Sequence, residues 1–359
     1  MADDSQLLPH RNAIDAIDQQ ILQLMNQRAQ HARAIGELKG TGVVYRPERE
    51  AQVLQRIKQI NTGPLPDESV ARLFREIMSE CLAVERPLTI AYLGPQGTFT
   101  QLAAMKHFGH AAHTVACPTV DESMRLVEAR QADYVVAPIE NSTEGSVGRT
   151  LDLLVNTPLK VCGEVVLRIH HHLLCQHNHM NDLQVVYAHA QALAQCQRWL
   201  AKNLPENVRC VAVSSNGEAA RLASEQSHAA AIASQAAAEI YQLHKLASNI
   251  EDEPNNTTRF LVLGYQDTTP SGTGDKTSLI VSAPNRAGTL HRLIAPFTQA
   301  GISLTKFESR PSHTGLWEYV FFIDIEGHHL DANIQAALNE LRDVTGFVKV
   351  VGSYPMAVI

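Results

Sequence analysis

Apolar side chains change their spacing twice along the chain. Over residues 1–87 they recur at intervals of three and four: Ile14, Ile17, Ile21 and Leu24, then Ile35 and Leu38. That spacing lines one face of a helix. No proline interrupts Arg11–Lys39, so the pattern predicts a helix of about 30 residues and about 45 Å, ended by Gly40 and Gly42. A stripe that long cannot be buried within 87 residues of one chain, and a partner chain is expected to cover it. Pro47, a favoured first-turn residue, opens a second helix carrying Val53, Leu54, Ile57 and Ile60. Asn61–Pro66 is a cluster of helix breakers. A third helix is predicted from Asp67 to Glu85, with Leu73, Phe74, Ile77, Met78 and Leu82 on its stripe.

Residues 88–266 have a different rhythm. Short apolar runs at Leu88–Leu93, Tyr134–Pro138, Lys160–Val166, Val185–Ala188, Arg209–Val213, Ala229–Ile232 and Phe260–Gly264 read as strands. Helices are predicted over Gln101–Phe108, Asp121–Ala129, Leu193–Asn203, Glu218–Ser224 and Gln235–Tyr241. This alternation argues for a doubly wound α/β domain. Thr268–Gly274 is a linker by composition. Residues 276–355 then read β-α-β-β-α-β. Strands are expected at Ser278–Ala283, Ile302–Arg310, Tyr319–Glu326 and Phe347–Tyr354. The helices are Thr289–Ala300 and Ala332–Val344. That order is a ferredoxin-like α+β module. Three domains result: all-α over 1–87, α/β over 88–266 and α+β over 276–355.

The apolar stripes of the first segment are broken by charge. Extending the heptad from Ile14 and Ile21 lands on Arg28; counting back from Ile57 lands on Glu50; Phe74, Met78 and Cys81 lead on to Glu85. Lys39 and Arg49 sit beside their stripes. One helix-edge arginine is ordinarily a solvated side chain. Several charges aimed at one core are costly unless paired or ligated. An inward set of Arg28, Lys39 and Arg49 suits a small dianion. Arg11 lies 17 residues before Arg28, about 25 Å along one helix, so it can join the same ligand only from a partner chain.

Composition narrows the partners. The 359 residues are 45% hydrophobic and 19% charged, enough for packed cores. Aromatics are 5% and the net charge is −7, which disfavours nucleic-acid binding. No apolar run is long enough for a transmembrane helix, and the acidic Met1–Asp4 start does not resemble a signal peptide, so no membrane association and a cytoplasmic location are expected. The six cysteines are scattered and read as free thiols.

Three turns of the central segment follow predicted strands and precede helices: Gly94–Thr98, Glu140–Gly145 and Ser214–Asn216. Such turns expose backbone N–H groups that suit carboxylates; ordinary helix capping by Ser, Thr and Asn reads the same way. Gly94–Thr98 lacks the G-x-G-x-x-G spacing of a dinucleotide site. His170-His171-His172, Cys175, His177 and His179 look metal-rich. Adjacent residues of a strand point to opposite faces, and the spacing fits no standard zinc pattern, so no metal is expected.

Residues 1–87 resemble an all-helical chorismate mutase fused to prephenate dehydratase. The resemblance spans essentially the whole chain and implies the bifunctional family of that kind. It implies mutase substrate contacts from Arg28, Lys39, Arg49, Glu50, Cys81 and Glu85, with Arg11 from the other subunit. Arg46 stands where some relatives have a substrate-contacting Asp, Cys81 where some have Ser, and Glu85 where some have Gln. Tyr92–Phe99, Pro138–Ser142 and Asn256–Phe260 resemble prephenate dehydratase, the last through its Thr-Arg-Phe motif. The family fold is two α/β lobes like those of periplasmic binding proteins, with the site in the cleft. The resemblance makes Thr258 the catalytic hydroxyl, with Glu140, Asn141 and Gln195 around it. Thr98, Phe99, Ser142, Thr143, Ser214, Ser215, Asn216, Arg259 and Phe260 are further substrate-binding candidates. Relatives can have Ser where this chain has Ala188.

Asn285-Arg286-Ala287-Gly288-Thr289-Leu290 and Glu308-Ser309-Arg310-Pro311 resemble motifs of the ACT domain in prephenate dehydratases. They imply a phenylalanine site formed by Asn285, Ala287, Gly288, Thr289, Leu290, Glu308, Ser309, Arg310 and Pro311 at a dimer interface. The implied function is chorismate to prephenate to phenylpyruvate, inhibited by phenylalanine, in a homodimer or higher oligomer that needs no cofactor. Two other readings stay open. One is a non-catalytic amino-acid sensor built of binding-protein lobes and a regulatory module. The other, a mutase–dehydrogenase fusion, is disfavoured by the missing glycine fingerprint.

Overall fold

The computed structural model describes residues 4–40, 42–43, 45–177, 179–180, 182–283, 286–311 and 319–357. The chain divides into two compact bodies. The first comprises residues up to Arg46, Val53–Leu88 and Phe108–His113; the second comprises Pro47–Gln52, Thr89–His107 and Thr114–Ile359.

Helix α1 (Asp4–Lys39) packs on α3 (Asp67–Glu85) in the first body. Helix α2 (Pro47–Ile60) contributes its opening residues to the second body and the rest to the first. Pro47 takes the first-turn position, as expected. The predicted stripe of α1 is present but uncovered: Ile14, Ile17, Ile21 and Leu24 are all about half exposed or more. Among the described residues, no helix is long and apolar enough to cross a membrane.

The second body begins with two mixed sheets instead of one doubly wound sheet. The first lobe holds β1 (Thr89–Leu93), α4 (Phe99–Phe108), β2 (His113–Cys117), α5 (Val120–Glu128), β3 (Tyr134–Asn141), β4 (Gly145–Ser146), α6 (Gly148–Asn156) and β5 (Lys160–Arg168). The second holds β6 (His172–Cys175), β7 (Val185–His189), α7 (Ala190–Gln195), α8 (Gln197–Asn203), β8 (Arg209–Val213), α9 (Asn216–Glu225), β9 (Ala229–Ala233), α10 (Gln235–Ile240) and β10 (His244–Ala247). The chain then returns as β11 (Thr257–Gly264), which inserts antiparallel between β3 and β5. The sheet orders are β2-β1-β3-β11-β5 and β10-β6-β9-β7-β8. This return strand corrects the doubly wound reading and supports the two-lobed one.

The C-terminal module is β12 (Asp275–Ala283), α11 (Thr289–Gln299), β13 (Leu304–Pro311), β14 (Tyr319–Glu326), α12 (Ala332–Val344) and β15 (Phe347–Pro355). Its antiparallel order β13-β14-β12-β15 is the ferredoxin-like arrangement expected. One sheet face packs Leu279, Val281 and Ile323 against Leu293, Phe297, Ile334 and Leu338 of the two helices. The other face sends Ile280, Phe322 and Tyr354 into the first lobe's core. Backbones approach closely there: a Cβ on Gly352 would lie 2.0 Å from the Val161 carbonyl oxygen. The segment 268–274 is not a loose linker. Thr268 and Ser271 are buried, and the Ser271 carbonyl accepts from Gln52.

Candidate active sites

In the helical body, Lys39 Nζ lies 3.3 Å from Glu85 Oε1. Each residue ends its helix, so the α1–α3 packing brings together side chains 46 positions apart. The Glu85 side chain is only 6% exposed. Gly36 makes this possible: a Cβ there would fall 2.3 Å from Glu85 Cγ. The sequence reading missed Gly36, since a lone helical glycine announces no partner. Cys81 is buried one turn before Glu85 and Arg28 is half-buried. Arg11, Arg46 and Arg49 are exposed in the single chain; Arg49 and Glu50 stand in the part of α2 that belongs to the second body.

Between the two α/β lobes lies a cavity of about 1000 Å³. The first lobe lines it with Thr98, Phe99, Pro138, Asn141, Thr258 and Phe260; the second with His171, His189, Gln195, Ser214, Ser215 and Asn216. The Gly94–Thr98 turn ends β1 and leads into α4, as predicted. Ser215 caps α9 through the Glu218 N–H at 3.0 Å, and the Asn216 Oδ1 accepts from the His189 N–H. Close approaches join the lobes at the cavity. The Ser234 hydroxyl donates to the Gly97 carbonyl at 2.9 Å, and a Cβ on Gly217 would meet the Gln96 oxygen at 2.4 Å.

The stretch Glu140–Gly145 is a hairpin turn, not the strand-to-helix turn expected. Asn141 Oδ1 accepts from the Thr143 and Glu144 N–H groups at 3.0 and 3.1 Å, which turns the chain back to pair β4 with β3. The β3–β11 register shifts between Arg259 and Phe260, leaving Ile139 unpaired. The bulge lets Pro138 and Asn141 both face the cavity.

Asn141 Nδ2 then donates to Thr258 Oγ1 at 2.8 Å and to Asn256 Oδ1 at 2.9 Å. Thr143 Oγ1 donates to Asn141 Oδ1 and accepts from Gln195 Nε2 at 3.2 Å. Thr258 therefore uses a lone pair on Asn141, and its O–H proton is available to a ligand. Gln195 owes its place to a break. The single helix predicted over Leu193–Asn203 is two, because the Gln195 carbonyl accepts from the Asp252 N–H and the Asp252 carboxylate caps α8 at Arg198 and Trp199. Asp252 is remote in sequence, so no local pattern signals it.

Arg259 and Glu140 do not join the cavity. Strand alternation puts Thr258 and Phe260 on one face of β11 and Arg259 on the other. Arg259 Nε lies 2.7 Å from Glu164, and its Nη2 lies 2.6 Å from Asp324 and 3.0 Å from the Tyr354 hydroxyl. Lys276 completes the cluster at 2.8 Å from Glu164. Burial opposes the Glu164 carboxylate, but Arg259 and Lys276 outweigh it and hold its carboxyl below the usual range. Glu140 pairs with Lys306 at 3.1 Å and lies 3.6 Å from Arg259.

Strand alternation also divides the second C-terminal motif. Glu308 bonds Ser146, and Arg310 pairs with Asp152 at 3.3 Å above Gly148. Ser309 and Pro311 are exposed. Glu308 and Arg310 thus contact the lobe that carries Asn141. Gly288, at φ +80°, opens α11; Ala287 and Leu290 are exposed and Thr289 is half-buried. Asn285 lies outside the described residues.

The three adjacent histidines do not share one strand, since β6 begins at His172, and each has a different partner. His170 pairs with Glu251 at 2.8 Å, His171 bonds Gln195, and His172 Nδ1 accepts from the Asn249 N–H.

Residues 10–86 match the chorismate mutase type II family, 90–268 the prephenate dehydratase family and 277–343 the ACT domain. The chain is 68% identical over 359 residues to the bifunctional chorismate mutase/prephenate dehydratase of Neisseria gonorrhoeae, covering 99% of each. Among solved structures, it is 33% identical to the prephenate dehydratase of Arthrobacter aurescens in complex with L-Phe, with a TM-score of 0.69 over 75% of this chain and 90% of that one. GqqA, described as a novel type of quorum quenching acylase, has the same TM-score at 28% identity, over 75% of this chain and 98% of that one. At 68% identity over 99% of the bifunctional relative, and with all three family models matched, the chain belongs to the bifunctional chorismate mutase/prephenate dehydratase family.

Proposed function

We propose that the chain converts chorismate to prephenate in its helical domain and prephenate to phenylpyruvate between its α/β lobes, under inhibition by phenylalanine. The observation that carries this is the Asn141–Thr258 hydrogen bond in the cavity wall, which leaves the threonine proton free to donate. In the dehydratase step the electron pair of the ring–carboxylate bond enters the ring as carbon dioxide departs. The ring hydroxyl leaves from the opposite carbon, and the product is aromatic. Thr258 donates to that departing oxygen. The test is to supply chorismate without NAD and measure phenylpyruvate, with and without phenylalanine. Phenylpyruvate that falls on adding phenylalanine is the expected result. An amino-acid sensor would give no product, and a dehydrogenase none without NAD.

The mutase step is a single pericyclic rearrangement, so catalysis is positioning plus electrostatics. Arg28 and the partner's Arg11 hold the two carboxylates, and Cys81 contacts the substrate from α3. Lys39 and Glu85 donate to the ether oxygen as its bond breaks. Glu85→Gln puts an amide donor in place of the carboxyl and is expected to keep mutase activity, whereas Glu85→Ala is expected to lose most of it. Equal activity in the two variants rules the role out.

The uncovered stripe of α1 supports a homodimer whose partner chain covers Ile14, Ile17, Ile21 and Leu24 and supplies Arg11 to the site. All six cysteines are free, in keeping with a cytoplasmic enzyme. Phenylalanine binds the ACT domain at the Gly288 turn. An L-residue at φ +80° is strained, so Gly288→Ala weakens inhibition about tenfold, read as the inhibitory concentration. Unaltered inhibition removes this turn from the effector site.

A further inference from the structure

The hydrogen bonds behind Thr258 have a forced direction. The Thr143 and Glu144 N–H groups can only donate, so the Asn141 atom they meet is its oxygen and its nitrogen must donate onward. That nitrogen meets Asn256 at 2.9 Å, which makes the Asn256 atom an oxygen. The Asn256 nitrogen then donates to Gln195 at 3.1 Å, which makes that Gln195 atom an oxygen too. His171 Nε2 lies 2.9 Å from the same oxygen and must therefore carry a proton. Nδ1 of this 2% exposed ring has no hydrogen-bond partner among the described residues. Phe99 meets the ring edge-on at 5.5 Å, and the Glu251 carboxylate beside it bonds the His171 backbone N–H and the His170 ring.

We propose that His171 is a positioning residue of the dehydratase site, acting as the neutral Nε2–H tautomer that clamps Gln195, the amide bracing Thr143, Asn141 and Thr258. This rests on the reading of Thr258 as the catalytic hydroxyl. Burial also lowers the imidazole below the ordinary histidine range, against the pull of Gln195 and Glu251, which favours the neutral ring.

The test uses the full chain. In histidine-¹⁵N-labelled protein, the signals lost in the His171→Gln variant identify the ring. They are expected to show a protonated Nε2 and an unprotonated Nδ1. The glutamine amide nitrogen stands as many bonds from Cβ as Nε2 and keeps the donor; His171→Leu removes it. His171→Leu is expected to lower the dehydratase kcat roughly tenfold or more, with KM within about twofold. His171→Gln restores most of the loss, and mutase activity is unchanged in both. A protonated Nδ1, a wild-type kcat in His171→Leu, or no rescue by glutamine overturns the proposal. Should Thr258→Ala keep its activity while the ring shows the expected tautomer, the Thr258 reading is what fails.

Discussion

Thr258→Ala is expected to lower dehydratase kcat by at least about 10²–10³-fold while mutase activity stays at its wild-type value. The loss is chemical and not a folding defect. With the hydroxyl gone, Asn141 Nδ2 still has the Asn256 Oδ1 at 2.9 Å and the Thr257 carbonyl at 3.3 Å. No buried donor is orphaned, so the large penalty for an unsatisfied group does not arise. What disappears is the Thr258 hydroxyl proton at the cavity wall. Thr258→Ser keeps that proton and recovers part of the rate. Steady-state assays with prephenate and with chorismate separate the outcomes. If both activities vanish together, the variant has misfolded or the two reactions share a site, and the assignment falls.

Lys39→Met is expected to have the mirror effect, a drop of about 10²–10³-fold in mutase kcat/KM with dehydratase activity on supplied prephenate intact. Lys39 ends α1, and its ammonium faces a Glu85 side chain that α3 and Gly36 keep almost buried. An ether oxygen placed between them gains negative charge in the transition state, and a fixed cation there stabilises it with little reorganisation. Methionine keeps an unbranched side chain as far as the ε position and removes the ammonium with its charge and donors. A mutase rate within a few-fold of wild type would show that the lysine merely neutralises Glu85.

Much of the architecture was legible because it is written in local periodicity. The bounds of α3, α12, β8 and β14 coincide with those read from spacing. Thr258 and Asn141 were legible through motifs and Gln195 through the family resemblance, and the structure joins them in one hydrogen-bonded set. Strand β6 escaped detection because its visible apolar core is only Leu173 and Leu174, preceded by histidines that look like a ligand cluster. His171 was passed over for the same reason. Its role depends on Gln195 and Asn256, 24 and 85 positions away.

The sequence by itself determined the order of helical, α/β and α+β stretches and the type of most of their elements, since helical and strand spacing and capping are properties of neighbouring residues. Only the tertiary structure decided which face each of those residues uses. The bulge at Ile139 turns Asn141 to the cavity; the opposite face of β11 takes Arg259 out of it, into a buried cluster with Glu164 and Asp324. In the same way Glu308 and Arg310 are directed at Ser146 and Asp152. Those choices are made by partners tens to hundreds of residues away, through contacts that exist only once the sheets have packed.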